Sequence, residues 1–272
     1  MAEHIVIATP DFADAGTLTG LGTIAATLPV TNLQTMQPGK VARWTSLSTV
    51  ALRLDLGSAP NINLVALGPH NGSAVAEWRI RAGDSEGDAD SGVGFDSAQV
   101  SMWPSSGRPF DYDGVMLWSL LWLGSAVEAH RYWRFDVYDP GNAADYFQAG
   151  RLVVDAAWQP TKNLRYGWGI GWNDASEIVE AIGGQTWPVE RARRRVMEFT
   201  LGSMSEAEMW TSAYEIARKR GRAKDLLVIR DPAATTQLHR QMVYGLLTDL
   251  PPLVNRTFNL YETNYRLQEL VV

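Results

Sequence analysis

The chain has 272 residues, 46% hydrophobic and 10% aromatic, which is enough to bury one large or two ordinary cores and too apolar for a mostly disordered polypeptide. A formal charge of −6 gives no electrostatic footprint for nucleic acid, and the absence of cysteine removes disulfide scaffolds, thiolate zinc sites and cysteine catalysis. Eleven tryptophans point to thick β cores or extended contact surfaces rather than to one chemistry.

In chain order, the N-terminal MAEHIVIATPDFADAG sets Glu3 before a short apolar run without a basic lead, which is unlike a secretory signal. Strands are predicted at 51–56, 64–68, 77–82, 115–123, 131–138 and 151–157, with Gly, Pro, Asn and Asp between them at the spacing of an all-β sandwich. Two phrases carry this reading best, LRLDLGSAPNINLVALGPHN at 52–71 and RYWRFDVYDP at 131–140. Each is a Leu-, Val- or aromatic-rich strand ending in a tight turn. The longest apolar run, 115–124, is about half the roughly 20 residues of a membrane-spanning helix, so no span is expected.

After Gln159-Pro160 the texture changes. The passage NLRYGWGIGWNDASE reads as a linker in which no regular element persists, and Trp168 and Trp172 sit there among glycines. A strand at 193–201 follows, with Arg195, Met197, Phe199 and Leu201 on one side and Val196, Glu198 and Thr200 on the other. A helix is predicted near 204–220. Ser203 and Glu206 form its capping box, Met209, Ala213, Ile216 and Ala217 recur at helical spacing, and Arg218, Lys219 and Arg220 precede Gly221. Strands at 225–230, 241–248, 256–262 and 265–272 complete a β-rich unit with one helix.

The constellations that could carry chemistry each have a plainer reading. Asp84, Glu86, Asp88 and Asp90 alternate as calcium ligands do, yet lack the rest of an EF-hand and fit a solvated hairpin tip. Asp139, Asn142 and Asp145 surround Pro140-Gly141 and suit Asx-turn chemistry as well as metal binding. Arg191, Arg193, Arg194 and Arg195 could meet phosphate, but on a strand they alternate between faces and read as a solvated or intersubunit strand. His4, His70, His130 and His239 include no pair at metal spacing, and no Gly-x-Ser-x-Gly elbow accompanies them. A glycosidase carboxylate pair needs no sequence signature and stays open. Trp44, Trp78, Trp103 and Trp133 lie in or beside predicted strands and read as core, whereas Trp168 and Trp172 are candidates for contact with another subunit or a sugar.

LPVTNLQ at 28–34, Trp44, Leu54-Asp55-Leu56-Gly57 and Trp78-Arg79-Ile80 resemble the discoidin-like (F5/8 type C) jelly-roll sandwiches. With Ala66-Leu67-Gly68-Pro69-His70-Asn71, the 132–140 segment and Gly150-Arg151-Leu152, the first 160 residues look like sandwich domains of tail-tip proteins of long-tailed bacteriophages. Phe199-Thr200-Leu201, the capped helix, the 227–232 segment and Tyr244-Gly245-Leu246-Leu247 look like a recurrent phage tail domain whose strands pair around a ring.

The resemblance implies a mainly β protein, with a discoidin-like jelly-roll sandwich over 1–160 and a β-rich ring-forming domain with one helix over 161–272. It implies a distal-tail-like structural subunit of a tail tip or baseplate, in the virion tail and assembled in the host cytoplasm. Expected partners are further copies in a ring, the tail tube and tail hub proteins, and a host surface glycan, with neither nucleic acid nor a membrane span. No catalytic, cofactor-binding or metal residue is assigned, no cofactor is expected, and the protein is read as no enzyme. The alternative is a carbohydrate-binding module recognising host surface glycans, and a third class is a polysaccharide-cleaving enzyme.

Overall fold

A computed structural model describes residues 4–104, 107–108 and 116–271. The chain runs through β1 (Val6–Ala8), α1 (Asp11–Ala15), β2 (Thr17–Leu21), a 3-10 turn at Val30–Gln34, β3 (Ala42–Trp44), β4 (Val50–Asp55), β5 (Asn61–Ile62), β6 (Leu64–His70) and β7 (Glu77–Gly83). Next come α2 (Glu86–Ser91), β8 (Phe95–Ser101), β9 (Ser119–Trp122), β10 (Glu128–Ala129), β11 (Tyr132–Tyr138), β12 (Phe147–Asp155), β13 (Gly169–Asn173), β14 (Glu177–Glu180), β15 (Thr186–Val189) and β16 (Arg194–Met204). A helix then passes from α3 (Glu206–Glu208) through a π turn at Met209–Ala213 into α4 (Tyr214–Arg220). Last are β17 (Leu226–Ile229), α5 (Leu238–Gln241), β18 (Met242–Leu247), β19 (Val254–Thr257) and β20 (Leu260–Glu269).

The fold is mainly β, as the sequence implies, and its sheets are stacked. A five-stranded sheet β2-β4-β11-β7-β8 faces a four-stranded sheet β3-β12-β6-β9. Alternation drives this pairing. Leu52 and Leu54 of β4, Trp78 and Ile80 of β7, and Trp133 and Phe135 of β11 point into the sandwich core, which they share with Val65, Leu67, Leu152 and Val154 of the opposing sheet.

The four-stranded sheet is covered on its other face as well. Leu64, Ala66 and Val153 pack against Val6, Leu227, Ile229, Met242 and Tyr244 of a third sheet. That sheet has seven strands in the order β1-β17-β18-β20-β16-β13, with β19 beside β20. Its far face receives the helix, where Ala213 and Ile216 meet Ile7, Val228 and Val243. Strands buried on both faces read as unbroken apolar runs, and β17, LLVI, is one. Gly245 is required where β18 meets β20, because a Cβ there would lie 2.0 Å from the Gln268 carbonyl oxygen.

Several expectations change. The third sheet takes its edge strand β1 from residues 6–8, ahead of the sandwich, so a division at residue 160 separates β1 from the strand it pairs with, Val6 opposite Ile229. The helix is capped by Ser205, whose hydroxyl accepts from the Glu208 amide, while Ser203 lies within β16 at φ 60°. The Gly/Trp passage holds a strand after all, because β13 pairs with β16 from Gly169 opposite Glu198 to Asn173 opposite Arg194. The predicted strand 256–262 is split, its first residues ending β19 and its last beginning β20 with a turn at Phe258-Asn259 between them. Predicted strand ends at Val115 and Val272 lie outside the described residues. Among the described residues no helix is long and apolar enough to cross a membrane.

Candidate functional site

The acidic cluster is not a hairpin tip. Ser85 caps α2 by accepting from the Asp88 amide and donates to the Asp88 carboxylate at 2.7 Å, so Asp88 is spent on the helix start. Glu86 and Asp90 reach down to Arg53 at 2.8 and 2.6 Å, and Arg134 joins Asp90 to Asp136 at 2.9 and 2.8 Å. Burial raises the Asp90 pKa, but bonds from Arg53 and Arg134 outweigh it and hold the carboxyl below its ordinary range. The carboxylates therefore fasten α2 to the outer face of the sandwich. Among the described residues no three His, Cys, Asp or Glu side chains gather to hold a metal ion. Asp139 is a turn anchor, accepting from the Ser73 amide at 2.8 Å and from Asn142 Nδ2 at 2.8 Å. Asp145 sits at positive φ in the same turn.

One buried pair has the look of a nucleophile and its base. His70 Nε2 lies 2.9 Å from Ser119 Oγ, a neighbour the sequence did not reveal. The proton runs the wrong way for catalysis. His70 Nδ1 accepts from the Gly72 amide, so Nε2 carries the proton and donates to Ser119, whose hydroxyl donates in turn to the Met102 carbonyl. Burial first, then the positive field of His239 and Arg108, push the His70 pKa down to about 3. This chain fixes a core histidine. The ring stacks on Trp103 at 4.8 Å, and Trp103 meets His239 edge-on at 5.7 Å, across to the third sheet.

The tryptophans divide as the sequence reading divides them, except for Trp168. Trp44, Trp78, Trp103 and Trp133 are at most 4% exposed, so none offers a ring to a sugar. Trp172 is 55% exposed on β13. Trp168 is half-buried, packed on the second core with Arg230 over its ring at 4.9 Å. Of the arginine run, Arg195 departs from a solvated strand: it is buried, donating from Nε to Glu269 at 2.9 Å and from Nη1 to the His239 carbonyl at 2.8 Å. Arg191 and Arg193 are exposed and pair with Glu177 and Glu190 at the surface.

The exposed features converge on one end of the third sheet. Strand β13 lies at the end of the sheet's strand order, beside β16. A shallow groove of about 500 Å³ opens along its face over Gly169, Gly171, Trp172, Val196 and the Glu198–Arg266 ion pair. From there the chain projects as the β14–β15 hairpin, in which every residue from Glu177 to Arg194 is exposed. Val179 opposes Trp187 on one face, and Ile178 opposes Pro188 on the other. The hairpin is therefore apolar on both sides. Ile178 is 70% exposed and Trp187 62%. Sequence reading missed this arm, although Gly183-Gly184 between two short apolar runs is a hairpin signal.

No family model matches the chain, and no curated protein matches it. Among solved structures, the family 32 CBM from C. perfringens NanJ in complex with galactose is 13% identical, with 54% of this chain and 98% of that one covered and a TM-score of 0.39. The lectin domain of lectinolysin complexed with Lewis B antigen is 14% identical, covering 54% and 96%, with a TM-score of 0.36. SpGH29 is 13% identical over 52% of this chain, with a TM-score of 0.34, and only 26% of its own length is spanned.

Proposed function

We propose that this chain is a structural subunit of an oligomeric assembly and that the β14–β15 hairpin is the arm by which it grips its neighbours. The observation that carries the reading is the hairpin exposed on both faces. A lone two-stranded hairpin is marginal in water, and the apolar side chains on both of its sides are covered by nothing among the described residues. A neighbouring copy would supply that cover, and an end strand such as β13 suits extension by another chain. A contact of this head-to-tail kind closes into a ring when the rotation between copies allows it. The tail tip or baseplate of a long-tailed phage, with tube and hub proteins as further partners, is the setting that the sequence resemblance implies for such a ring.

The test is light scattering and electron microscopy of the purified chain across concentration, alone and with candidate tube and hub proteins. Rings or hub complexes are expected for the native chain and their loss for Ile178→Asp with Trp187→Asp. A chain that stays monomeric with those proteins present sinks the reading. Glycan recognition by the sandwich is the competing outcome: saturable binding of galactose or a Lewis-type oligosaccharide by that monomer would replace assembly as the function.

A further inference from the structure

The third sheet presents an uncovered apolar hairpin besides the arm. Strands β19 and β20 are joined by the two-residue turn Phe258-Asn259, with Thr257 opposite Leu260 and Val254 opposite Glu262. Phe258 is 90% exposed, and Leu260 and Val254 are exposed with it. A turn of this length favours Asn, Asp or Gly where φ is positive, and Asn259 at φ 56° meets that need. The turn itself gives no reason for a phenylalanine beside it. By alternation along β20, Leu260 and Glu262 stand with Asn264 and Arg266 on the face turned away from the helix, and Val254 joins them there. A large apolar group left in water on such a face is informative about contacts beyond the chain.

The position of this hairpin matters as much as its composition. The arm enters β16 at Arg194, and the far end of that strand, Met204, pairs with Tyr261 of β20. Strand β16 has 11 residues, a span of roughly 34 Å at the rise of an extended chain. Two different apolar hairpins thus stand at opposite ends of one strand. That is the layout of a head-to-tail contact, in which each copy offers one surface and receives on another, whereas a two-fold contact sets a single patch against itself.

The charges of the two hairpins are complementary. Strands β14 and β15 carry Glu177 and Glu180 and neither Lys nor Arg. Arg191 engages Glu177 at 2.8 Å, and Glu180 has no ion-pair partner among the described residues. At the β19–β20 hairpin the excess is positive. Arg256 reaches Glu262 at 3.2 Å and Arg165 reaches the same carboxylate, so two cations share one anion. Opposite excess charge on facing surfaces steers their encounter and fixes register.

We propose that the β19–β20 hairpin is the socket in which the arm of a neighbouring copy sits, with Phe258, Leu260 and Val254 against the arm's apolar side chains and Glu180 towards Arg165 and Arg256. The inference rests on the arm reading and names the surface that the arm grips. Phe258 is its anchor, since aromatic side chains at the centre of an interface carry a large share of the binding energy.

The experiment is sedimentation of the full chain and two variants, Ile178→Asp with Trp187→Asp, which blinds the arm, and Phe258→Asp, which blinds the socket. Phe258 is nearly fully exposed, so its variant should keep the native thermal midpoint. Each variant alone should associate about 30-fold more weakly than the native chain or worse. Mixed in equal amounts, the two should form a one-to-one dimer and nothing larger, because a single intact arm and a single intact socket remain to meet. Arg256→Glu is a second socket variant at an exposed position; it should weaken association, and Glu180→Arg in the same chain should recover part of the loss. If Phe258→Asp assembles like the native chain, if the mixture stays monomeric, or if the charge swap recovers nothing, the socket assignment is overturned while the arm reading stands. A native chain that never associates overturns the arm reading itself.

Discussion

Arg151 of β12 holds Asp225, the residue just before β17, at 2.7 Å, and both side chains are buried between the sandwich and the third sheet. The same guanidinium donates to Asp14 at 2.5 Å and to the Leu33 carbonyl at 3.2 Å, and Tyr244 donates to Asp225 at 2.5 Å. The four-stranded sheet, the third sheet, α1 and the 3-10 turn thus meet at one cation. Removing it strands Asp225 in the interior, so Arg151→Met should cost about 3–5 kcal/mol in denaturant unfolding. Adding Asp225→Asn should recover part of that loss. A loss below 1 kcal/mol for the single variant would mean that the two bodies are not coupled through this residue.

His70 and Asp155 should bend the pH dependence of stability in opposite directions. The folded pKa of His70 is depressed to about 3 from 6.5, so the native state resists taking a proton, and stability is lost as pH falls from 6.5 towards 3. The folded pKa of Asp155 is raised to about 7 from 3.8, so the native state holds a proton the unfolded chain has released, and stability is lost as pH rises from 3.8 towards 7. Asp155→Asn keeps an acceptor for Thr9 and removes the charge. It should be more stable than the native chain at pH 8, by an amount on the order of a few kcal/mol. Urea unfolding at half-unit steps between pH 4 and 8 checks both slopes.

Trp44 and Trp103 are core rings whose indole N–H groups are already used, donating to the Leu21 and Ser73 carbonyls at 3.0 and 2.6 Å. Trp44→Ala or Trp103→Ala should lower stability by about 3–5 kcal/mol, through lost burial and the cavity left behind. Thermal and denaturant midpoints are the readout. A binding defect with unchanged stability would instead place the ring at the surface.

The start of the helix tests what sequence alone can decide. Ser203 and Ser205 each stand three residues before a glutamate, Glu206 and Glu208, and only the backbone distinguishes them. Ser205→Ala should cost about 1 kcal/mol by losing the bond to the Glu208 amide. Ser203→Gly should be neutral or stabilising by about 1 kcal/mol, because Ser203 occupies positive φ.

That example marks the limit of legibility more widely. Strands β4, β7 and β11 were readable because one face is core and the other polar, which writes a period of two into the sequence. Strand β17 was readable as a strand, but an apolar run does not name the two layers that bury it. The acidic cluster was misread because its partners Arg53 and Arg134 stand 37 and 44 residues from Asp90, and no local pattern records them. The exposure of Trp172 could be read from its glycine neighbours. The hairpin beyond it carried one local signal, Gly183-Gly184 between short apolar runs, and Pro188 masked it by arguing against a strand where β15 is found.

The arm should be the first part of the free chain to be cut. Every residue from Glu177 to Arg194 is exposed, the tip turn is held by the Ala181 and Gln185 pairing at 2.8 Å, and the two strands β14 and β15 pair only with each other among the described residues. Trypsin can reach Arg191 and Arg193, which are 53% and 61% exposed in their side chains. Arg195, two residues on, is buried against Glu269 and should resist. Limited digestion followed by mass spectrometry should therefore give fragments ending at Arg191 or Arg193 while the three sheets stay intact. If a neighbouring copy seats on the arm, the same sites should become protected as concentration rises into the oligomeric range, and Trp187→Asp should abolish that protection without changing the thermal midpoint. Cleavage at an equal rate in monomer and oligomer would place the intersubunit contact somewhere other than this hairpin.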